Sequence, residues 1–272
     1  MNRRVVTLML AIALVAPLSA HEGIHEQLAQ VTAEIARQPH NAALFLKRAE
    51  LYRLRGEWKN ASRDHDHARR IDPALATVDL GRGLLLLDRG RAAEALDPLY
   101  RYVKARGEDS RGHVALAHAL MATGKPSAAA DEFSAALAPV PRPEPELVLD
   151  YARALVAAKR SGEALESLDA MQARLGPLVT LRLAAIDIEL SSGNYDAALR
   201  RLDAAAADAP RKEIWLERRG DILRRAGRDA EARNAYQSAL AAIATLPTER
   251  RFTRAMKELE ERLERALARL GN

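Results

Sequence analysis

AALFLKRAELYRLRGEWKNASRDHDHARRIDP, residues Ala42 to Pro73, reads as two amphipathic helical patterns with Gly56 between them. Ala61 and Ala68 lie on the second pattern, and Pro73 stops it. Glycine suits the end of the first helix because a positive φ costs it nothing. The same order of small, large and breaker residues returns five more times downstream.

Alignment on one alanine places the copies at Ala61, Ala95, Ala129, Ala164, Ala198 and Ala232, with four gaps of 34 residues and one of 35. A fixed period of this length is the mark of a helical repeat array. Five residues earlier stand Gly56, Gly90, Gly124, Gly193 and Gly227, with Lys159 in the fourth copy, where a strained or differently shaped turn is expected. Twelve residues earlier come Ala49, Gly83, Ala117, Ala152, Ile186 and Gly220. Small groups there let the two helices of a pair approach closely. Four residues beyond the aligned alanine come His65, Leu99, Phe133, Leu168, Leu202 and Tyr236, mostly bulky groups that fill the space between pairs. Seven beyond it come Ala68, Tyr102, Ala136, Met171, Ala205 and Ala239. Breakers follow at Pro73, Pro141 and Pro210, replaced elsewhere by Gly107 and by Gly176 with Pro177.

These offsets resemble the tetratricopeptide repeat family, whose helix-turn-helix unit carries small residues, a turn glycine, a bulky residue and a terminal proline in this order. The copies run over 41–74, 75–108, 109–143, 144–177, 178–211 and 212–246. Glu189 and Ile186 depart from the family pattern in the fifth copy, and Tyr102 and Met171 replace small residues. The resemblance implies an all-α, right-handed superhelical solenoid of about six pairs, its concave face lined by the first helix of each pair. It places Thr77, Leu80, Leu84 and Leu87 of the second copy on that face. With them go Arg111, Val114, His118 and Met121 of the third copy and Glu146, Leu149, Arg153 and Val156 of the fourth. Of these, Leu80, Leu84, Leu87, His118, Met121, Leu149 and Arg153 are the expected partner-binding residues. For Leu80 and Val114, packing against neighbouring repeats is an equal alternative. A face that is apolar with a few charges suits an amphipathic helix or an extended peptide. The family's clamp for acidic chaperone tails needs lysine and asparagine where this chain has Leu46 and Glu50, so such tails are not the expected partner.

The flanks complete the array. The first 20 residues combine Arg3 and Arg4, an apolar run from Val5 to Ala16, and the small residues Ser19 and Ala20, which reads as a secretory signal peptide cut before His21. An uncleaved anchor is the competing reading, but the run is short of the ~20 residues that span a bilayer. The expectation is an exported protein, periplasmic or secreted, with no stable membrane insertion. Segment 21–40 is an N-terminal helix with its stripe at Ile24, Leu28, Val31 and Ile35. Segment 247–272 is a C-terminal capping helix with its stripe at Phe252, Met256, Leu259, Leu263, Ala266 and Leu270. Between the third and fourth copies Pro139, Pro141, Pro143 and Pro145 form either a longer loop or a hinge between two halves.

Composition agrees with helices throughout. The chain of 272 residues is 48% hydrophobic but only 4% aromatic, is rich in Ala and Leu, and has no cysteine. Its formal charge of +5 comes mostly from arginine interleaved with acidic residues, a solvated helical surface with no basic stripe for nucleic acid. No cysteine nucleophile, phosphate loop or nucleophile elbow is present, so neither an enzyme nor a cofactor is expected. Of Asp64, His65, Asp66 and His67, only Asp64 and His67 share a helical face, too few ligands for a metal. His65 is expected to fill the bulky inter-repeat position and His67 to be solvated. His21, as a mature N-terminus near His25, leaves copper chelation open as an alternative function. A part in envelope or cytochrome assembly stands as a further alternative, on analogy alone. The leading expectation is a monomeric, non-enzymatic scaffold that binds a protein or peptide outside the cytoplasm.

Overall fold

The computed structural model describes residues 19–207, 209 and 211–271, with side chains from Gly23 onward. The signal peptide up to Leu18, the side chain of His21, and Pro210 lie outside the described residues. Among the described residues the secondary structure is entirely α-helical. The chain divides into two compact units, 1–107 and 108–272.

The first unit holds α1 (Ser19–Arg37), α2 (Ala42–Leu54), α3 (Trp58–Ile71), α4 (Thr77–Asp88) and α5 (Ala92–Ala105). Asn41 starts α2 by accepting a hydrogen bond from the Ala43 N–H at 3.2 Å, a cap worth about 1 kcal/mol. Helix α2 pairs with α3, α4 pairs with α5, and α1 lies on α2. The stripe read in α1 does close this end, with Leu28, Val31 and Ile35 buried against Phe45, Leu51, Ala68 and Val78.

The second unit runs through α6 (Ser110–Ala122), α7 (Pro126–Leu137), α8 (Pro145–Ala157), α9 (Ser161–Leu175), α10 (Val179–Ser191) and α11 (Tyr195–Ala206). It continues with α12 (Lys212–Arg225), α13 (Asp229–Ala244), α14 (Thr248–Arg251) and α15 (Arg254–Leu270). Consecutive helices again form antiparallel pairs, and α15 covers α13. Leu202, Leu223, Tyr236, Ile243, Leu259 and Leu263 meet in one core here.

Each pair turns on a left-handed residue, with φ of 72° at Gly56 and similar values at the other turn glycines. Lys159 adopts the same geometry at φ 62°, so its turn is strained but not differently shaped. A side chain held there costs roughly 1–2 kcal/mol. Within the pairs, small residues face bulky ones. A Cβ on Gly220 would fall 2.3 Å from Tyr236 Cε1, and one on Gly83 would fall 2.3 Å from Leu99 Cδ2. The Tyr236 hydroxyl donates to Asp221 at 2.8 Å. Burial first, and then that hydrogen bond, push its pKa up to about 12.

Arginines link one pair to the next within each unit. Arg82 on α4 pairs with Asp66 on α3, and Arg219 on α12 pairs with Asp203 on α11. Relative to the aligned alanines these two links have the same register. Arg201 on α11 forks Asp169 on α9 at 2.7 and 2.8 Å and also reaches buried Glu189, which accepts from Asn194 at 3.0 Å. Buried Asp64 is forked by Arg48 at 2.7 and 2.8 Å, and buried Asp79 meets Arg69 and Arg101.

One expectation needs correction, and one open alternative is decided. Phe252 does not join the C-terminal stripe: it is 61% exposed at the end of α14, while Met256, Leu259 and Leu263 are buried as read. Pro247 starts the short α14, and Thr253 opens a new helix by accepting from the Met256 N–H at 3.4 Å, so the cap is α15 alone. The division between compact units falls after Gly107, and the proline segment lies inside the second unit. There α7 packs on α8, Pro143 is buried, and Arg174 donates to the Pro141 carbonyl at 2.9 Å. This is a longer loop tied to its neighbours, not a hinge.

Candidate partner-binding site

The positions expected to meet a partner lie on the first helix of each pair. In the first unit they belong to α4, where Leu84 and Leu87 are half-buried. Leu80 is 7% exposed and so belongs to the core, the packing alternative of the two readings, because α4 packs on α2 as well as on its pair partner α5. Arg53 joins α2 to α4 through Asp88, and hydrogen bonding to Glu50 first, and then to Asp88, raises the Arg53 pKa.

In the second unit His118 on α6 is exposed, with its Nε2 3.5 Å from Asp150 Oδ2 on α8 and its ring edge-on to Phe133. Asp150 also takes an ion pair from Arg153, whose other nitrogen donates to Glu146 at 2.7 Å. Hydrogen bonding to Glu146 raises the Arg153 pKa. His118 and Arg153 are therefore brought together on one carboxylate, beside half-buried Met121 and Leu149. The charges of this cluster satisfy one another.

Further along the second unit a mostly apolar cavity of about 510 Å³ opens between α10, the end of α11, and α12. That is within the roughly 300–1,000 Å³ of typical ligand pockets. Val179 and Leu183 form one wall, and Ile214 and Trp215 the other. Val179 is 55% exposed and Ile214 42%, unusual for large apolar groups on helices that otherwise bury theirs. Arg182, Arg211 and Arg218 stand at its margin. The sequence reading missed this cavity. Leu183 and Ile214 occupy the same offsets from Ala198 and Ala232 that Leu80 and Thr77 occupy from Ala95, so the repeat register carried a signal for them. Val179, Arg182 and Trp215 lie off those offsets and had none.

The histidines take separate places. His65 is buried, its Nε2 2.5 Å from where a Cβ on Gly81 would stand. Burial, and then the nearby Arg82 charge, push its pKa down to about 4. His67 is not solvated as expected but half-buried, stacked on Phe45 with ring centroids 4.2 Å apart. His25 is exposed, with Nδ1 3.3 Å from an Arg55 guanidinium nitrogen. Among the described residues no three potential ligands come together in a metal-binding group.

Two family models match the chain: a tetratricopeptide repeat model over residues 2–175 and a tetratricopeptide repeat-like domain over residues 146–258. No curated protein matches it. Among solved structures, a tetratricopeptide repeat protein from Parabacteroides merdae ATCC 43184 is 17% identical with a TM-score of 0.56, covering 85% of this chain and 99% of that one. YrrB, described as a TPR protein with an unusual peptide-binding site, is 21% identical with a TM-score of 0.56, over 68% of this chain and 95% of its own. PilW, described as a widely conserved type IV pilus biogenesis factor, is 21% identical with a TM-score of 0.57, over 70% of this chain and 88% of its own. At such identities the structures speak for the fold alone, and they agree with the 34-residue period, the left-handed turns and the paired helices: the chain belongs to the tetratricopeptide repeat family.

Proposed function

We propose that the chain is a non-enzymatic scaffold that works outside the cytoplasm and holds a peptide or protein segment against the first helices of its pairs. The family is one of protein-interaction scaffolds, typically without catalytic activity. The observation that carries the reading is the apolar cavity between α10 and α12, where exposed Val179 and Ile214 stand together with Leu183 and Trp215. Half-buried Leu84 and Leu87 on α4, and Met121 and Leu149 beside His118 and Arg153, add contact positions in their own units. Export rests on the basic, apolar and small-residue succession of the first 20 residues. Among the described residues no helix is long and apolar enough to cross a membrane.

One experiment tests both parts: immunocapture of the full-length gene product from fractionated cells, beside its Ile214→Glu variant. The expected result is a chain beginning at His21, recovered outside the cytoplasm with a partner that the variant loses while keeping its helicity. Recovery in the cytoplasm with an intact N-terminus refutes export, and equal capture by the variant refutes the cavity as the contact.

A further inference from the structure

We propose that the cavity between α10 and α12 takes an acidic-apolar peptide, which buries one large apolar side chain there and sets a neighbouring carboxylate against Arg182 and Arg218. This rests on the scaffold reading above and names the chemistry of its ligand.

The charges at the margin are unevenly matched. Arg211 is held by buried Glu213 at 2.9 Å, and one terminal nitrogen of Arg218 pairs with Asp187. Among the described residues Arg182 has no carboxylate partner. The Arg218 Nε is also buried with no hydrogen-bond acceptor. A buried N–H without a partner is rare in folded proteins, so Arg218 is less fully satisfied than Arg211. Among the described residues three guanidinium groups stand against two carboxylates, a positive balance that a negative ligand complements. Guanidinium binds carboxylate in a two-pronged fork, which fixes the direction of the chain that carries it. The floor argues equally against a simple ion. Leu183, Trp215 and the exposed Val179 and Ile214 offer nothing to a small anion but suit a leucine-sized or aromatic side chain. Apolar floor and cationic rim lie together in one opening, so a single short segment can satisfy both.

The test is selection of a phage-displayed library of random dodecapeptides on the full chain, with Arg182→Glu, Arg182→Lys and Ile214→Glu variants in parallel. The expected peptides carry Leu, Ile or Phe with Asp or Glu within three positions. The affinity of a selected peptide for the Arg182→Glu variant should fall at least tenfold by fluorescence anisotropy, with much of it restored by Lys. The Ile214→Glu variant should not bind it. Apolar peptides without acidic enrichment, bound equally by the Arg182→Glu variant, would overturn the charge inference and leave the scaffold reading standing. Peptides bound equally by the Ile214→Glu variant would remove the cavity from both. A dimer in sedimentation that the Ile214→Glu variant dissolves would assign the cavity to a second copy of the chain and overturn the proposal.

Discussion

At position 65 this chain puts histidine where four other copies have leucine or phenylalanine, and the consequence is a pH dependence. The folded pKa of about 4 lies below the ordinary 6.5, because burial and Arg82 disfavour the imidazolium more than Asp64, Asp66 and Glu50 favour it. The unfolded chain therefore takes up the proton first as pH falls. Stability from the neutral ring is complete above about 6.5 and is lost as pH drops from there toward 4. Between pH 7 and 5 the loss should reach ~2 kcal/mol, read by urea unfolding at each pH. The His65→Leu variant should flatten that slope. An unchanged slope would mean that other groups set the acid response. The sequence showed that position 65 is internal, since its register said so. It did not show that His67 stacks on Phe45, because an interaction between two neighbouring helices leaves no periodic trace in either.

The helix pair depends on a notch and a ridge. Gly220 on α12 lies against the Tyr236 ring on α13, at a distance no added Cβ can share. The Gly220→Ala substitution should cost about 1–3 kcal/mol by overpacking, although alanine is the better helix former. Combining it with Tyr236→Ala should cost less than the sum of the two single changes, because the alanine then has room; strict additivity in chemical denaturation would refute the clash. At this scale the fold was highly legible, since small, bulky and turn residues recur at fixed offsets. The exceptions are instructive. Phe252 continues the apolar spacing of the last helix, yet Pro247 and Thr253 cut the chain into two helices around it. Leu80 has the right offset for a binding face but is covered because α4 also packs on α2. Spacing within one helix does not say which of its neighbours comes closest. For the same reason the cavity beside Val179 and Trp215 became visible only once α10 and α12 were placed together.

In a repeat molecule each pair is stabilised mainly by its neighbours, so damage at one end should stay there. Leu263 of the capping helix is fully buried on the last pair, and the Leu263→Ala change should cost about 2–5 kcal/mol. Hydrogen exchange should report that loss in α12 to α15 while amides of α2 to α5 keep their protection; uniform loss along the chain would show a single all-or-none unit instead. Neighbour stacking alone raises a difficulty that the arginine links reduce. Alanine and glycine notches are nearly the same in every copy, so packing by itself hardly distinguishes the right adjacent pair from a wrong one. Arg82 with Asp66 and Arg219 with Asp203 mark the first and last junctions in one register, and Arg201 with Asp169 marks the junction of the fourth and fifth pairs in another. Misassembly of repeats is a characteristic failure of such chains. A third, fourth or fifth pair docked in the place of the second or sixth would set Leu116, Tyr151 or Ala185 against these carboxylates, so the ion pairs act as addresses that tell some near-identical parts from others.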